Sequence, residues 1–353
     1  MTTYSQAFGG QGGGAILDYQ VFPYSQIYTV QYDGVLDVLA IAASGSGSVG
    51  NQLVGGAGAG ECAWRRAVRV YKGDTLTITI GGGGAGVTAA YNAAVAGNAG
   101  GDTVITSSRG WSITVRGGRG GTVGGGTSLL GGRGGTGGSG GDVHVAGGNG
   151  GDIILCSGAS NCATGGGAPN LFNVPADLVR GGNINLATAA NVGTGGAGVK
   201  GRGGDITSTN ISTAGGGFGG NARDNATGGT VGNIGANAWG LRSAASPGML
   251  IPGLATWGLD VFGGGGNSSN SATPNAGPGG GSAGAGLGAG VTSPQAAYMA
   301  GSGGLVLTNT SVAPSSAPGL CCTSASLRQG ATSGSTSSTA AGDGQAVIIL
   351  RQG

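Results

Sequence analysis

Val35-Leu36-Asp37-Val38-Leu39-Ala40-Ile41-Ala42-Ala43 and Thr75-Leu76-Thr77-Ile78-Thr79-Ile80 are the two stretches that decide the fold. The first is a nearly continuous apolar run, the pattern of a buried strand. The second alternates strictly, threonines on one face and Leu76, Ile78 and Ile80 on the other, which is the period of a half-buried strand. Between them lie a Gly/Ala/Ser loop, Ser44 to Gly60, and a third run, Trp64 to Tyr71. Lys72-Gly73-Asp74 joins that run to the alternating one, so a hairpin is predicted there. The chain closes on Ala346-Val347-Ile348-Ile349-Leu350. These apolar strands at opposite ends are expected to pair in one sheet system and shut a jelly-roll-like β-sandwich. The expected class is therefore all-β, with the glycine-rich middle inserted into that core.

The composition agrees with such a fold. Of 353 residues 89 are glycine, about a quarter of the chain, against roughly 7% in average proteins. Charged residues make up only 8% and hydrophobic ones 38%, unlike disordered chains, which are polar and highly charged. Glycine loses much backbone entropy on ordering, so dense backbone hydrogen bonding or oligomerisation must offset it. A net charge of +2 with scattered basic residues leaves no footprint for nucleic acid. No apolar run approaches the roughly 18 residues of a membrane-spanning helix. The N-terminus, Met1 to Gln6, lacks the charged and apolar regions of a signal peptide, so synthesis in a cytoplasm is expected.

Five regions follow along the chain: residues 1–25, an N-terminal attachment segment; 26–99, the first part of the β-core; 100–213, a repeat region; 214–340, a distal glycine-rich region with variable loops; and 341–353, the closing strand. The repeat unit is glycine, then Asp or Asn, then β-formers, as in Gly101-Asp102-Thr103-Val104-Ile105, Gly141-Asp142-Val143-His144-Val145, Gly151-Asp152-Ile153-Ile154-Leu155, Gly182-Asn183-Ile184-Asn185-Leu186 and Gly204-Asp205-Ile206-Thr207. Its spacing is irregular, which favours short paired strands with Asx-turns at their starts over a regular solenoid. Calcium is the alternative use of these carboxylates, but the nonapeptide pattern of calcium-binding β-rolls is missing. The glycine runs 215–220, 263–266 and 279–281 are candidates for polyglycine II helices, extended threefold helices without internal hydrogen bonds. Their amides must then bond to neighbouring helices.

The search for chemistry is negative, and no catalytic, cofactor-binding or metal-binding residue is assigned. The single histidine, His144, sits in an alternating strand without an evident carboxylate partner, and a structural role is expected. There is no phosphate-binding loop and no Cys-x2-Cys pair for zinc. The chain is expected not to be an enzyme. Cys156 and Cys162 are spaced to close a small loop, but free thiols in a reducing cytoplasm are the preferred reading. Adjacent Cys321 and Cys322 are poorly placed for a mutual disulfide. The Trp64-Arg65-Arg66 cluster with Arg69 reads as solvated strand positions, with a polyanionic ligand as the alternative.

Gln26 to Ala43 followed by a glycine-rich loop, Arg69 to Gly82, Phe262 to Gly266, and Ala341 to Arg351 resemble, in order, segments of the glycine-rich domains of tail-fibre and adhesin proteins of tailed bacteriophages. The resemblance implies a β-sandwich with polyglycine-rich insertions and variable receptor-binding loops. It also implies a virion location on the tail, a bacterial surface receptor (protein or polysaccharide), other tail proteins as partners through the N-terminal segment, and a homotrimer. A virion structural role without a receptor, or a cellular glycine-rich surface protein, are the alternatives. Exposed aromatics in loops are good anchors for sugars and proteins. Trp239, Arg242, Met249, Trp257 and Tyr298 are accordingly the expected receptor contacts, with a satellite core or an oligomer interface as the other use of these side chains.

Overall fold

The run at Val35 forms the strand Gly34–Ile41, and its neighbours explain why it is apolar on both sides. In the computed structural model, which describes residues 15–50, 53–90, 93–156, 162–171, 173–187, 192–194, 196–197, 201–207, 305–306, 335–337 and 341–353, it is the middle strand of a five-stranded sheet. The order is Ile16–Phe22, Gln345–Arg351, Gly34–Ile41, Cys62–Val70, Val143–Val145, antiparallel throughout. The closing strand thus pairs with the opening run as expected: Val38 lies opposite Ile348 and Leu36 opposite Leu350. Those residues face one core, while Leu39, Ile41, Val347 and Ile349 on the opposite face are buried as well. A strand buried on both faces needs apolar residues at consecutive positions.

The alternating stretch forms Thr75–Thr79 in a second, four-stranded antiparallel sheet, ordered Ser112–Val115, Thr103–Ser107, Thr75–Thr79, Gln26–Thr29. Leu76, Ile78, Ile105 and Ile113 are fully buried and join Leu36, Val38 and Ile348 in one cluster drawn from both sheets. Thr77 and Thr79 face outward. The described residues are nearly all-β: they contain no α-helix, and one short 3-10 turn spans Ala176–Val179.

The predicted hairpin does not form. Cys62–Val70 and Thr75–Thr79 belong to different sheets, and Lys72-Gly73-Asp74 carries the chain from one to the other. Both strands already have other partners: Cys62–Val70 runs between Gly34–Ile41 and Val143–Val145, and Thr75–Thr79 between Gln26–Thr29 and Thr103–Ser107. The turn is tied instead to Val30, the residue after Gln26–Thr29, with the Gly73 amide donating to Val30 O and the Val30 amide to Asp74 O, both at 2.9 Å.

The strand Cys62–Val70 kinks at a register shift opposite Asp37, where Ala67 has φ 53°. The Asp37 carboxylate accepts the Ala67 amide (3.0 Å) and the Arg351 Nε (3.0 Å), so an acidic side chain on the neighbouring strand fixes the bulge. A side chain in the left-handed region costs about 1 kcal/mol. Ala67→Gly, at an exposed position, is expected to raise stability by about that amount in urea unfolding, with the slope of the transition unchanged.

At the end of both sheets marked by Ala42, Gly81 and Arg116 the chain leaves the strands and becomes a bundle of extended glycine rows. Their hydrogen bonds recur every third residue. Ala42 and Gly45 donate to Glu61 and Gly58; Gly118 and Gly121 donate to Ala43 and Ser46; Gly97 and Gly100 donate to Gly121 and Gly118; Gly132 and Gly135 donate to Gly56 and Ala59. A β-ladder repeats every second residue, whereas a three-residue step is that of a threefold extended helix. The row around Ser44 exchanges bonds with segments at Gly58, Gly101, Gly118, Gly84 and Gly342, five neighbours where a sheet strand has two. Rows can approach so closely only without side chains. A β-carbon at Gly58 would lie 2.2 Å from Arg133 O.

The runs 215–220, 263–266 and 279–281 lie outside the described residues. The rows observed lie within 42–50, 53–60, 81–90, 93–101 and 117–151, and in described residues of the later half of the repeat region. Short strands do occur there, but they do not share a single arrangement. Thr103–Ser107 and Val143–Val145 enter the two antiparallel sheets, whereas Ile153–Cys156 pairs in parallel with Ile184–Leu186, and Ile184 bridges Ile206 in parallel. The last three units are therefore stacked in register around Ile153, Ile184 and Ile206, all fully buried.

Candidate functional site

The residues expected to contact a receptor, Trp239, Arg242, Met249, Trp257 and Tyr298, all lie outside the described residues. Among the described residues three polar assemblies are built by the fold: a buried carboxylate at the junction of sheets and rows, a series of Asp and Asn side chains along the row ends, and a tyrosine–guanidinium cluster at the opposite pole.

The junction carboxylate is Glu61, 1% exposed. It precedes the strand Cys62–Val70, and its side chain reaches the point where Ser112–Val115 gives way to a glycine row. Its oxygens accept the Arg116 amide at 3.0 Å and the Gly138 amide at 2.9 Å, and its Oε1 lies 2.9 Å from His144 Nδ1. His144 therefore has a carboxylate partner, supplied by a residue remote in sequence. The other ring nitrogen, Nε2, accepts the Gly141 amide (3.1 Å), which assigns the proton to Nδ1. With both nitrogens engaged, the imidazole braces the Gly137–Gly141 turn. Neighbouring Cys62 is a free, fully buried thiol, its pKa pushed up by burial and by the adjacent Glu61 charge.

The repeated Asp and Asn side chains reach across to other segments of the chain. Asp142 accepts the Arg66 amide of the strand Cys62–Val70, whereas Asp102 accepts the Gly117 amide, Asp152 that of Gly131, Asn183 that of Asp152 and Asp205 that of Asn183; Asn149, outside the repeat units, likewise accepts the Gly134 amide. Row ends carry amides without row partners, and these side chains satisfy them. Arginines neutralise the carboxylates: Arg116 with Asp102, Arg133 with Asp152, Arg180 and Arg202 with Asp205. Burial works against the Arg180 charge, but its bonds to Asp205 and Asp177 outweigh burial and hold the guanidinium above its ordinary pKa. These carboxylates thus face amides and guanidinium groups, an arrangement suited to fastening rows.

Cys156 and Cys162 are joined by a disulfide, so the preferred free-thiol reading is corrected. Both are fully buried in one core cluster with Leu53, Ile153, Ile184 and Ile206, and their Cα atoms lie 6.9 Å apart.

At the pole away from the rows, the loops 31–33, 71–74 and 108–110 are locked together. The Lys72 amide donates to Asp33 Oδ1 (2.7 Å), the Thr75 amide to Ser108 Oγ (3.0 Å), and Arg109 Nε to Asp74 Oδ2 (2.5 Å). Slight desolvation of Asp74 opposes its ionisation, but the Arg109 bond and the Tyr71 amide prevail and hold its carboxyl below the usual range. The Arg109 guanidinium stacks 4.3 Å from the Tyr71 ring centre, and Arg69 lies 5.8 Å from the same ring. Tyr32, Tyr71 and Ile16 are 54%, 42% and 50% exposed here. The Trp64-Arg65-Arg66 neighbourhood is used differently: Trp64 is buried, and Arg65 lies over Trp111 and donates to Gly140 O.

No protein-family model matches the chain, and no curated protein matches it.

Proposed function

We propose that this chain is a tail-fibre adsorption protein of a tailed bacteriophage, carried on the virion as a homotrimer and binding a receptor on the bacterial surface. The two antiparallel sheets with a common core are read as a jelly-roll-like β-sandwich. The observation that supports the reading is the three-residue hydrogen-bond pattern joining glycine rows to the ends of those sheets. Such a bundle is stiff because each backbone is held by several neighbours. It also spares side chains for loops, so its loops can vary without disturbing the support. The segment with Trp239, Arg242, Met249 and Trp257, together with Tyr298, is then the receptor-contacting part.

The test uses a phage whose genome encodes the chain. Trp239→Ala and Trp257→Ala are expected to leave particle assembly intact and to slow adsorption to host cells at least tenfold. Unchanged adsorption in both variants, or purified particles that lack the chain, would overturn the reading. Particles that contain the chain and adsorb equally well after its deletion would assign it a purely structural place.

A further inference from the structure

We propose that the tyrosine–guanidinium pole is a protein-docking face, and that its partner is another particle protein presenting carboxylates beside an apolar surface. The inference rests on the adsorption reading and names the partner's chemistry. The pole is formed where Gly34 pairs with Val70, Thr29 with Thr75 and Ile16 with Arg351, at the strand ends opposite the glycine rows. Three large side chains near these strand ends are exposed, Ile16, Tyr32 and Tyr71, in a chain with only 5% aromatic residues. Tyrosine and arginine anchor protein interfaces because they bury much area around a polar tip.

The charges favour an acidic partner. Asp33 accepts the Lys72 amide, and Asp74 accepts the Tyr71 amide and pairs with Arg109, so the cations Arg69, Lys72 and Arg109 outnumber the carboxylates Asp33 and Asp74 in these loops. Arg69 and Lys72 are exposed and have no ion-pair partner among the described residues. Arg109 uses only Nε on Asp74, while its stacking on Tyr71 fixes the remaining guanidinium nitrogens. A fixed guanidinium loses little freedom on pairing with a carboxylate. A glycan would leave Ile16 without an apolar partner, whereas a protein surface covers it.

The experiment adds purified chain to particles assembled without it. The variants are Tyr32→Ser and Arg69→Glu, both at exposed positions, with melting curves confirming the fold. Wild-type chain is expected to bind and restore adsorption. Each variant is expected to bind at least tenfold more weakly, and only the Arg69→Glu variant should lose most of the salt dependence. Soluble polygalacturonate, a carboxylated glycan, should not compete. Variants that bind like wild type would overturn the inference while leaving the adsorption reading standing, as would efficient competition by polygalacturonate. Wild-type chain that fails to join particles would overturn the adsorption reading, and the inference with it.

Discussion

Gly58→Ala is expected to lower the melting temperature by about 4 °C or more, equivalent to roughly 3 kcal/mol or more. The Gly58 amide donates to Arg119 O, and its carbonyl accepts the Gly45 amide. A β-carbon here would stand 2.2 Å from Arg133 O, on a third row. The obstacle is backbone, so no rotamer change relieves it. The rows must separate, and because their bonds recur in series, several lengthen together at about 1 kcal/mol each. Gly82 is the control. No atom comes within 4 Å of its β position, so Gly82→Ala should change stability by less than about 0.5 kcal/mol. Calorimetry on the pair checks the prediction. If Gly58→Ala melted with wild type, the rows would not be in the contact that the three-residue pattern requires.

The same comparison marks how far the sequence could be read. The strands Gly34–Ile41, Thr75–Thr79 and Gln345–Arg351 were legible because their side chains record which faces are buried. Lys72-Gly73-Asp74 misled because a tight turn looks alike whether it joins partners in one sheet or crosses between two. The choice was made by strands elsewhere in the chain, which occupy both edges. The rows were harder still, since their periodicity is carried by amides and glycine has no side chain to display it. One signal was available. Thr164 follows Asp152-Ile153 much as Thr194 follows Asn183-Ile184, and each hydroxyl donates to the glycine carbonyl before its unit, Gly151 at 2.6 Å and Gly182 at 2.7 Å. That longer repeat, Gly-Asp/Asn-Ile then a Thr-Gly, identifies the stack that the irregular spacing concealed. The Glu61–His144 pair left no such trace, because tertiary packing alone brings those two residues together.

Glu61→Ala is expected to cost about 3–5 kcal/mol, since a buried hydrogen-bonded charge is removed and its donors are stranded. Glu61 accepts the Arg116 and Gly138 amides and meets His144 Nδ1, while its own amide donates to Arg116 O and its carbonyl accepts the Ala42 amide. It is thus bound to the ends of both sheets and to the first row. Glu61→Gln retains the shape but turns an amide nitrogen toward amide donors, so an intermediate loss of about 2 kcal/mol is expected. His144→Ala should cost less, about 1 kcal/mol, because the His144 side chain is 23% exposed and water can replace it. In the double variant the two losses should fall short of their sum, since Glu61→Ala already breaks the bond that His144→Ala removes. Urea unfolding gives these values, and hydrogen exchange locates the damage. Protection should drop first at the Gly118, Gly135 and Gly138 amides, where the rows join the sheets. A Glu61→Ala protein within about 1 kcal/mol of wild type, with those amides still protected, would mean that the glycine rows hold to the sheets without this carboxylate.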